Sequence, residues 1–574
     1  MKKFLSAILA AAMFCTAGLT LAACDKGGNG GSGSSGGELV MWYTVKEYGD
    51  LTLETKNLQR IKEAFDEAHK SEGTTLKIVA NGSYGDIVSG FTNGVGLPDI
   101  TYVDDQYYKS MVRANYITPI DDLVDKVGLD TSSMWENAVT RYRWNKKTNT
   151  SNAGDSLYAI PKDINPTVLI YNKTALKNAG IIVISVEKED IEGFYAGTKT
   201  DAYGKTIDEY SELARFKGNY AKDLERGYYS AAKIFNNKVA MSWEELEEFG
   251  KVLTQSFNPS SPTTYGFYTE WWFNFGWSVG GDCVGLQKNG EYVFTLNDDA
   301  PNYKVVKAVT INGTSYTPSE AGTFVSYQDK QWLKSDASRV TALGDSVQKF
   351  PSTRDAFGEF CMLTRPEGYA DPDYGYKGIG ITPKCTTDYS TYKKATSQFN
   401  NGGLASYITY IDEVNAIKNV DYDMAPVPVY KEYDDDGNVV KEGKAASQSK
   451  STGYAITTNS KKKELAAKAI KWLATEGQQY MATDGYAIPN SYDLANRYYK
   501  NQVDETKNWD SVFTSAKTQQ AGDWWYFYNR EWISNWSQPL NQDSNSVRNN
   551  GKTMKKYFDE VVSITNDRLK TYTR

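Results

Sequence analysis

The residues best suited to chemistry in this chain are aromatic rings and carboxylates gathered into short runs. The densest run is Tyr268-Thr269-Glu270-Trp271-Trp272-Phe273-Asn274-Phe275-Gly276-Trp277, followed by Gly280-Gly281-Asp282. A pyranose exposes C–H groups on one face, which stack on an aromatic ring, and edge hydroxyls that need carboxylates or amides to replace lost water. The same run also suits a core, because consecutive aromatics cannot all face one side. A second cluster, Trp524 to Tyr528 with Trp532 and Trp536, places Trp525, Tyr528 and Trp532 on one stripe if it is helical. That spacing fits packing as well as a platform.

Other chemistries are removed by what is missing. His69 is the only histidine, so no Ser/His/Asp, Cys/His or multi-histidine metal arrangement can form. Asp104 with Asp105 and Asp412 with Glu413 are paired acids, but a hydrolytic pair must flank one bond from different elements. They read as hydroxyl acceptors or surface charges. Asp434-Asp435-Asp436-Gly437-Asn438 lacks the glycine and closing glutamate of a calcium loop and reads as a hairpin turn. No phosphate-cradling glycine motif is present, and no cofactor is expected. A net charge of −7 and a pI near 5.3 supply no positive field for a polyanion, which argues against nucleic acid.

The elements that must position these residues alternate. Leu39 to Tyr43, Leu76 to Ala80 and Asp99 to Val103 read as strands, and Leu58 to Ala68 as a helix burying Leu58, Ile61, Ala64, Phe65 and Ala68. That pattern is α/β, and its ligands belong at the carboxyl ends of the strands. Tyr43, the turn Asn81-Gly82-Ser83-Tyr84 and the run Asp104-Asp105-Gln106 fall there. Ser242-Trp243-Glu244-Glu245 is a capping box opening a helix through Leu246, Phe249 and Leu253, with Trp243 as a packing residue. Asn459 or Ser460 opens another, with Leu465, Ala469 and Trp472 on one face.

The amino terminus reads as a leader: Met1-Lys2-Lys3, an apolar run to Ala23, and Leu21-Ala22-Ala23-Cys24, which resembles the lipobox of bacterial lipoproteins. The resemblance implies that Cys24 carries lipid. The stretch GGNGGSGSSGG from Gly27 to Gly37 is a flexible tether with a reach of roughly 20 Å. Of the remaining cysteines, Cys283, Cys361 and Cys385 suit buried packing, with a Cys361–Cys385 disulfide left open.

Several further motifs occur in one order: Gly96-Leu97-Pro98-Asp99-Ile100, Leu157 to Asp163 leading to Leu169-Ile170-Tyr171-Asn172-Lys173, the capping box, Phe399-Asn400-Asn401-Gly402, Met424-Ala425-Pro426-Val427-Pro428, Gly453-Tyr454-Ala455-Ile456 and Gly485-Tyr486-Ala487-Ile488-Pro489. Together they resemble the extracellular solute-binding proteins of ABC importers, the carbohydrate-binding group typified by maltose-binding protein. The resemblance implies an α/β, two-lobed periplasmic-binding-protein-like fold with a hinge and a central cleft, the chain crossing near Asp163, Gly453 and Asn490. The expected division is 1–23 leader, 24–37 lipidated cysteine and tether, 38–163 with 454–490 as lobe 1, and 164–453 with 491–574 as lobe 2. Insertions relative to the compact pattern fall near 182–238, 289–350 and after 490.

The resemblance further implies a non-enzymatic protein that captures an oligosaccharide and passes it to a permease at the extracellular face of the membrane. Its candidate contacts are Tyr43, Ser83, Tyr84, Asp105, Gln106, Asp163 and Asn165, then Trp271, Trp272, Asn274, Trp277, Asp282, Tyr407, Trp525 and Trp532. A binding lipoprotein for a peptide, and a secreted polysaccharide-degrading or polysaccharide-binding protein, stay open as alternatives.

Overall fold

The computed structural model describes residues 36–44, 51–210, 213, 225–485, 487–500, 504, 506–541 and 544–572. The expected leader, Cys24, most of the tether and Tyr486 lie outside them. Strand β1 (Glu38–Thr44) is followed by helix α1 (Leu51–Ala68), β2 (Thr75–Asn81), α2 (Tyr84–Asn93), β3 (Ile100–Asp104) and α3 (Tyr108–Arg113). β1 pairs in parallel with β2 from Glu38↔Thr75 to Thr44↔Asn81 and with β3 at Met41↔Ile100. Their carboxyl ends therefore share one rim, as the α/β reading requires. α1 buries Leu58, Ile61 and Phe65 while Ala68 is exposed. His69 follows it, its Nδ1 against the Phe65 carbonyl and its ring stacked on Phe65 at 4.2 Å, a packing role at a helix end.

Strand β4 (Ile160–Pro161) runs into β5 (Asp163–Asn172), which is buried over all but its last residue. A short helix α4 (Phe273–Ser278), helix α5 (Tyr392–Asn400) and strands β6 (Ser406–Tyr410) and β7 (Tyr422–Ala425) follow. β6 and β7 flank the carboxyl half of β5 as antiparallel partners. Strand β8 (Ser449–Lys450) and β10 (Ile488–Pro489) pair with its amino half, while β9 (Thr452–Ile456) joins the first sheet between β3 and β4. Two sheets result, β2-β1-β3-β9-β4 and β6-β5-β7 with β8 and β10 on β5. The chain passes between them at Lys162, between β4 and β5, at Ser451, between β8 and β9, and ahead of β10.

Each sheet has its own core, Leu39, Phe65, Ile100, Tyr454 and Ile470 around the first, and Val168, Tyr407 and Phe513 beside the second. The largest core gathers Trp272, Phe273, Phe357, Trp532 and Trp536. Two of the insertions carry small cores of their own, Ile184, Phe194 and Ile234 in one, Tyr303, Val305 and Leu333 in the other. They are satellites of the two-sheet body.

Several local expectations hold, and others are corrected. The Ser242–Glu245 capping box opens Trp243–Val252, and Leu246, Phe249 and Leu253 are buried. Asp434 to Asn438 turn between antiparallel strands Lys431–Tyr433 and Val439–Glu442, with Asp434 Oδ1 accepting from Asn438 N at 2.8 Å. Ser460 does not cap its helix: its hydroxyl donates to Asp99 at 2.7 Å, and the helix Lys463–Ala474 turns Ala466, Ile470 and Leu473 inward. The three described cysteines are free. Trp525 and Trp532 do not share a helix, because the turn Asp523–Trp525 ends before helix α6 (Glu531–Asn541) begins. Trp525 bonds to the Arg141 carbonyl of the first lobe whereas Trp532 sits in the core of the second, so the two ends of the stripe are claimed by different lobes.

The crossing is buried and polar. Lys162 Nζ lies 2.7 Å from Asp163 Oδ2 with both side chains almost fully enclosed, and Asp163 Oδ1 accepts from Thr452 N at 2.9 Å and Thr452 Oγ1 at 3.0 Å. Asn490 Nδ2 donates to the Pro161 carbonyl at 2.9 Å, and Gln478 bridges Lys162 O to Asn490 N. Removing one partner of such a pair leaves an uncompensated buried charge. Asp163→Asn is therefore expected to lower the unfolding free energy by about 3 kcal/mol in denaturant titrations; a loss under about 1 kcal/mol would contradict this anchoring role.

Candidate functional site

The rim of the first sheet faces the start of β5 and the end of β6 across a cleft of about 1320 Å³. Because β9 runs antiparallel to β3, its first residue, Thr452, lies opposite Asp104. The crossing residues Lys450, Ser451 and Thr452 thus form the floor between the two walls.

On the first wall, Ser83 caps α2, its Oγ accepting from Asp86 N at 3.2 Å. Tyr84 opens the helix and stacks on Tyr107 with centroids 5.7 Å apart. Asp104 ends β3; its Oδ1 accepts from Gln106 N at 3.1 Å and Tyr107 N at 2.8 Å. Burial, and then the neighbouring Asp105, push this carboxyl up to about 8. Asp105 is committed elsewhere, with Oδ2 paired to Arg141 Nη1 at 3.2 Å and Oδ1 accepting from Trp524 Nε1 at 3.1 Å. Burial raises it too, opposed by Arg141 and that indole N–H.

On the second wall, Glu270 Oε2 accepts from Tyr392 N at 3.2 Å, and burial holds its carboxyl near 7 against the pull of Lys450. Asp412 and Glu413 follow β6. Asn165 Oδ1 accepts from Asp412 N at 3.2 Å and Glu413 Oε2 accepts from Thr396 Oγ1 at 3.1 Å. Burial raises both carboxyls. Lys450 Nζ lies 4.1 Å from the centre of the Tyr410 ring. The arrangement is rings beside carboxyls on both walls, the pairing that ring C–H groups and hydroxyls call for.

Of the candidate contacts, Ser83, Tyr84, Asp105, Gln106 and Asn165 line the cleft. The tryptophan platforms do not. Trp272 is fully buried and Trp277 stacks on Phe273 at 4.8 Å, because every residue of α4 is enclosed; Trp271 packs on Trp536. Asn274 donates to the Ala446 carbonyl at 2.7 Å, and Asp282 accepts from the Tyr526 hydroxyl. Trp525 Nε1 donates to the Arg141 carbonyl at 2.8 Å, and Trp532 is core. Tyr43 packs edge-on against Tyr102, and Asp163 is spent on the crossing. Tyr407 is buried and bonds to Thr396 at 3.1 Å, one residue removed from the cleft.

Asp104, Asp412 and Glu413, read from the sequence as hydroxyl acceptors or surface charges, line the cleft too, and the residues missed are Tyr107, Glu270, Tyr392, Tyr410 and Lys450. For the tyrosines among them the one signal was the composition, 42 tyrosines against 14 tryptophans; a tyrosine can pack its ring and still present its hydroxyl to water, whereas tryptophan gains most from full enclosure. Among the described residues no group of three or more His, Cys, Asp or Glu is placed to hold a metal ion, and no helix is long and apolar enough to cross a membrane.

A family model for bacterial extracellular solute-binding proteins matches residues 51–243 and 386–480, half of the chain. The chain belongs to that family. No curated protein matches it. Among solved structures, this solute-binding protein resembles the ABC substrate-binding protein Lmo0181 of Listeria monocytogenes, in complex with cycloalternan, at 12% identity and TM-score 0.54 over 93% of this chain and 98% of that one. UgpB of Mycobacterium tuberculosis, in complex with glycerophosphocholine, matches at 14% and 0.53 over 94% and 98%. A cyclo/maltodextrin-binding protein complexed with maltotetraose matches at 14% and 0.52 over 95% and 100%. These likenesses establish the two-lobed fold.

The solute-binding protein carries a pH signature at Asp104. A carboxyl near 8 in the folded state, against 3.8 ordinarily, keeps its proton when folded and loses it when unfolded between those values, so its contribution makes stability fall as pH rises through that window. Asp104→Asn preserves the Oδ1 acceptor and removes the charge. Its melting temperature is expected to gain on the wild type from pH 5 to pH 8; a constant difference would contradict the buried-carboxyl account.

Proposed function

We propose that this solute-binding protein captures an oligosaccharide between its lobes and hands it, chemically unchanged, to the permease of an ABC importer. The observation that carries the reading is the cleft itself, where the Tyr84–Tyr107 stack faces hydroxyl acceptors Asp104, Glu270 and Asp412 drawn from both lobes. Burial favours the protonated form of these carboxyls, most of all at Asp104, and a protonated carboxyl both donates and accepts, which suits sugar hydroxyls better than a fixed charge does. Structural neighbours bound to cycloalternan and maltotetraose support it. In this reading lobe 1 comprises 38–163 with 454–490, lobe 2 comprises 164–453 with 491–574, and closure brings their walls onto one solute. The leader is removed, and lipid on Cys24 holds the body at the extracellular face of the membrane.

Calorimetry and thermal shift against maltotetraose, cycloalternan, xylotetraose, mannotetraose, glycerophosphocholine and a tetrapeptide test the ligand class. A glycan at 100 times its dissociation constant is expected to stabilise the fold by about 2.7 kcal/mol and to be recovered intact. Tyr84→Ala and Tyr107→Ala are each expected to cost about 1 kcal/mol of its affinity or more. Heat and stabilisation with the peptide or glycerophosphocholine alone would overturn the carbohydrate reading, and a cleaved glycan would overturn the non-catalytic one. For the anchor, Cys24→Ala is expected to leave the chain unprocessed or shed into the medium; a processed variant retained at the membrane would contradict lipidation.

A further inference from the structure

Residues 523–530 lie outside the segments that match the family, yet they touch both lobes. On the second lobe, the Tyr526 hydroxyl donates to Asp282, and Phe527 packs on Tyr292 at 4.9 Å and Trp532 at 5.7 Å. On the first lobe, Trp524 Nε1 donates to Asp105 and Trp525 Nε1 to the Arg141 carbonyl. Lys109 Nζ sits 4.2 Å from the centre of the Trp525 ring, and the Arg113 guanidinium 3.9 Å from that of Tyr528. The segment is a clamp with one side rooted in each lobe.

Arg530 ends this clamp at the cleft. Its Nη1 donates to Gln106 Oε1 and its Nη2 to the Tyr107 hydroxyl at 2.6 Å, with the guanidinium 4.5 Å from the centre of the Tyr107 ring. Gln106 and Tyr107 line the cleft, and Tyr107 carries the stack with Tyr84. We propose that Arg530 is a positioning residue of the solute cleft, fixing Gln106 and the Tyr107 ring from a C-terminal clamp that bridges the lobes. A planar guanidinium suits the task because its donors are held in a rigid fork and its charge persists at all working pH values. The loop after β3 is also held by Asp104 Oδ1, which accepts from two backbone N–H groups, and at Asp105 by Arg141 and Trp524. Arg530 supplies the external brace at Gln106 and Tyr107. The inference rests on reading this cleft as the solute site.

Hydrogen exchange on the full ligand-free chain tests it. Arg530→Met is expected to speed exchange of the Gln106 and Tyr107 amides at least 10-fold, with little change in the strands of either sheet. Arg530→Lys, which keeps a charged donor, is expected to recover part of that protection. Arg568→Met, which removes a 3.5 Å pair with Glu531 on the neighbouring helix, is expected to leave it unchanged. Should Arg530→Met fail to fold, Tyr107→Phe removes the hydroxyl that Arg530 holds and is expected to speed the same amides. Wild-type exchange at these amides, or acceleration spread evenly over the chain, would overturn the positioning role. No solute is present in this measurement, so its failure leaves the carbohydrate reading standing, and failure of the glycan panel leaves the brace standing.

Discussion

Strand β5 is hydrogen-bonded through its amino half to the crossing segments at Asn165, Ile164 and Asp163 and through its carboxyl half to the second sheet. The cleft inherits its position from that double duty. Its floor is the crossing itself, and the first wall is reached through β9, which leaves Lys450 and Ser451 only one residue later. Asp163 must therefore be satisfied inside the hinge, by Lys162 and Thr452, and is not free to reach a solute. A buried pair of this kind contributes little net stability beside a hydrophobic substitute, but breaking it is costly, and through Thr452 it pins two chain passages together.

The same enclosure sets the chemistry of the walls. Carboxyls on both sides of the cleft are desolvated, and Asp104 and Glu270 rise toward neutrality as a result. Asp104 and Asp105 are neighbours with different partners: Asp105 spends both oxygens on Arg141 and Trp524, whereas Asp104 Oδ1 accepts from the Gln106 and Tyr107 N–H groups. A hydroxyl-bearing solute would supply such groups with the hydrogen-bond partners that burial has taken from them. Ligand contacts made by both lobes are also what closure needs, since a solute shifts the lobes only through contacts made better in the closed form.

The frame of the molecule was legible in the chain because it depends on local pattern. The alternation at Leu39, Leu76 and Asp99, the cap at Ser242 and the three crossings rest on periodicity, hydrogen-bonding side chains at set offsets, and motif order. The rim positions Ser83, Tyr84, Asp105 and Gln106 followed from strand ends, and Asn165 from the resemblance. What local pattern does not encode is which side of an element meets the other lobe. Trp272 and Trp277 looked like platforms, but α4 is enclosed all round; Tyr392, Tyr410 and Lys450 reach the cleft through pairings made hundreds of residues away. Trp524 and Trp525 likewise belong to a contact between lobes, and no spacing within residues 524–536 announces one.

Small-angle scattering with and without a saturating glycan found to bind this protein tests closure of the two lobes around the solute most directly. The account predicts a smaller radius of gyration at saturation, reversing when the glycan is removed. A scattering curve that does not move while calorimetry shows the cleft filled would contradict it.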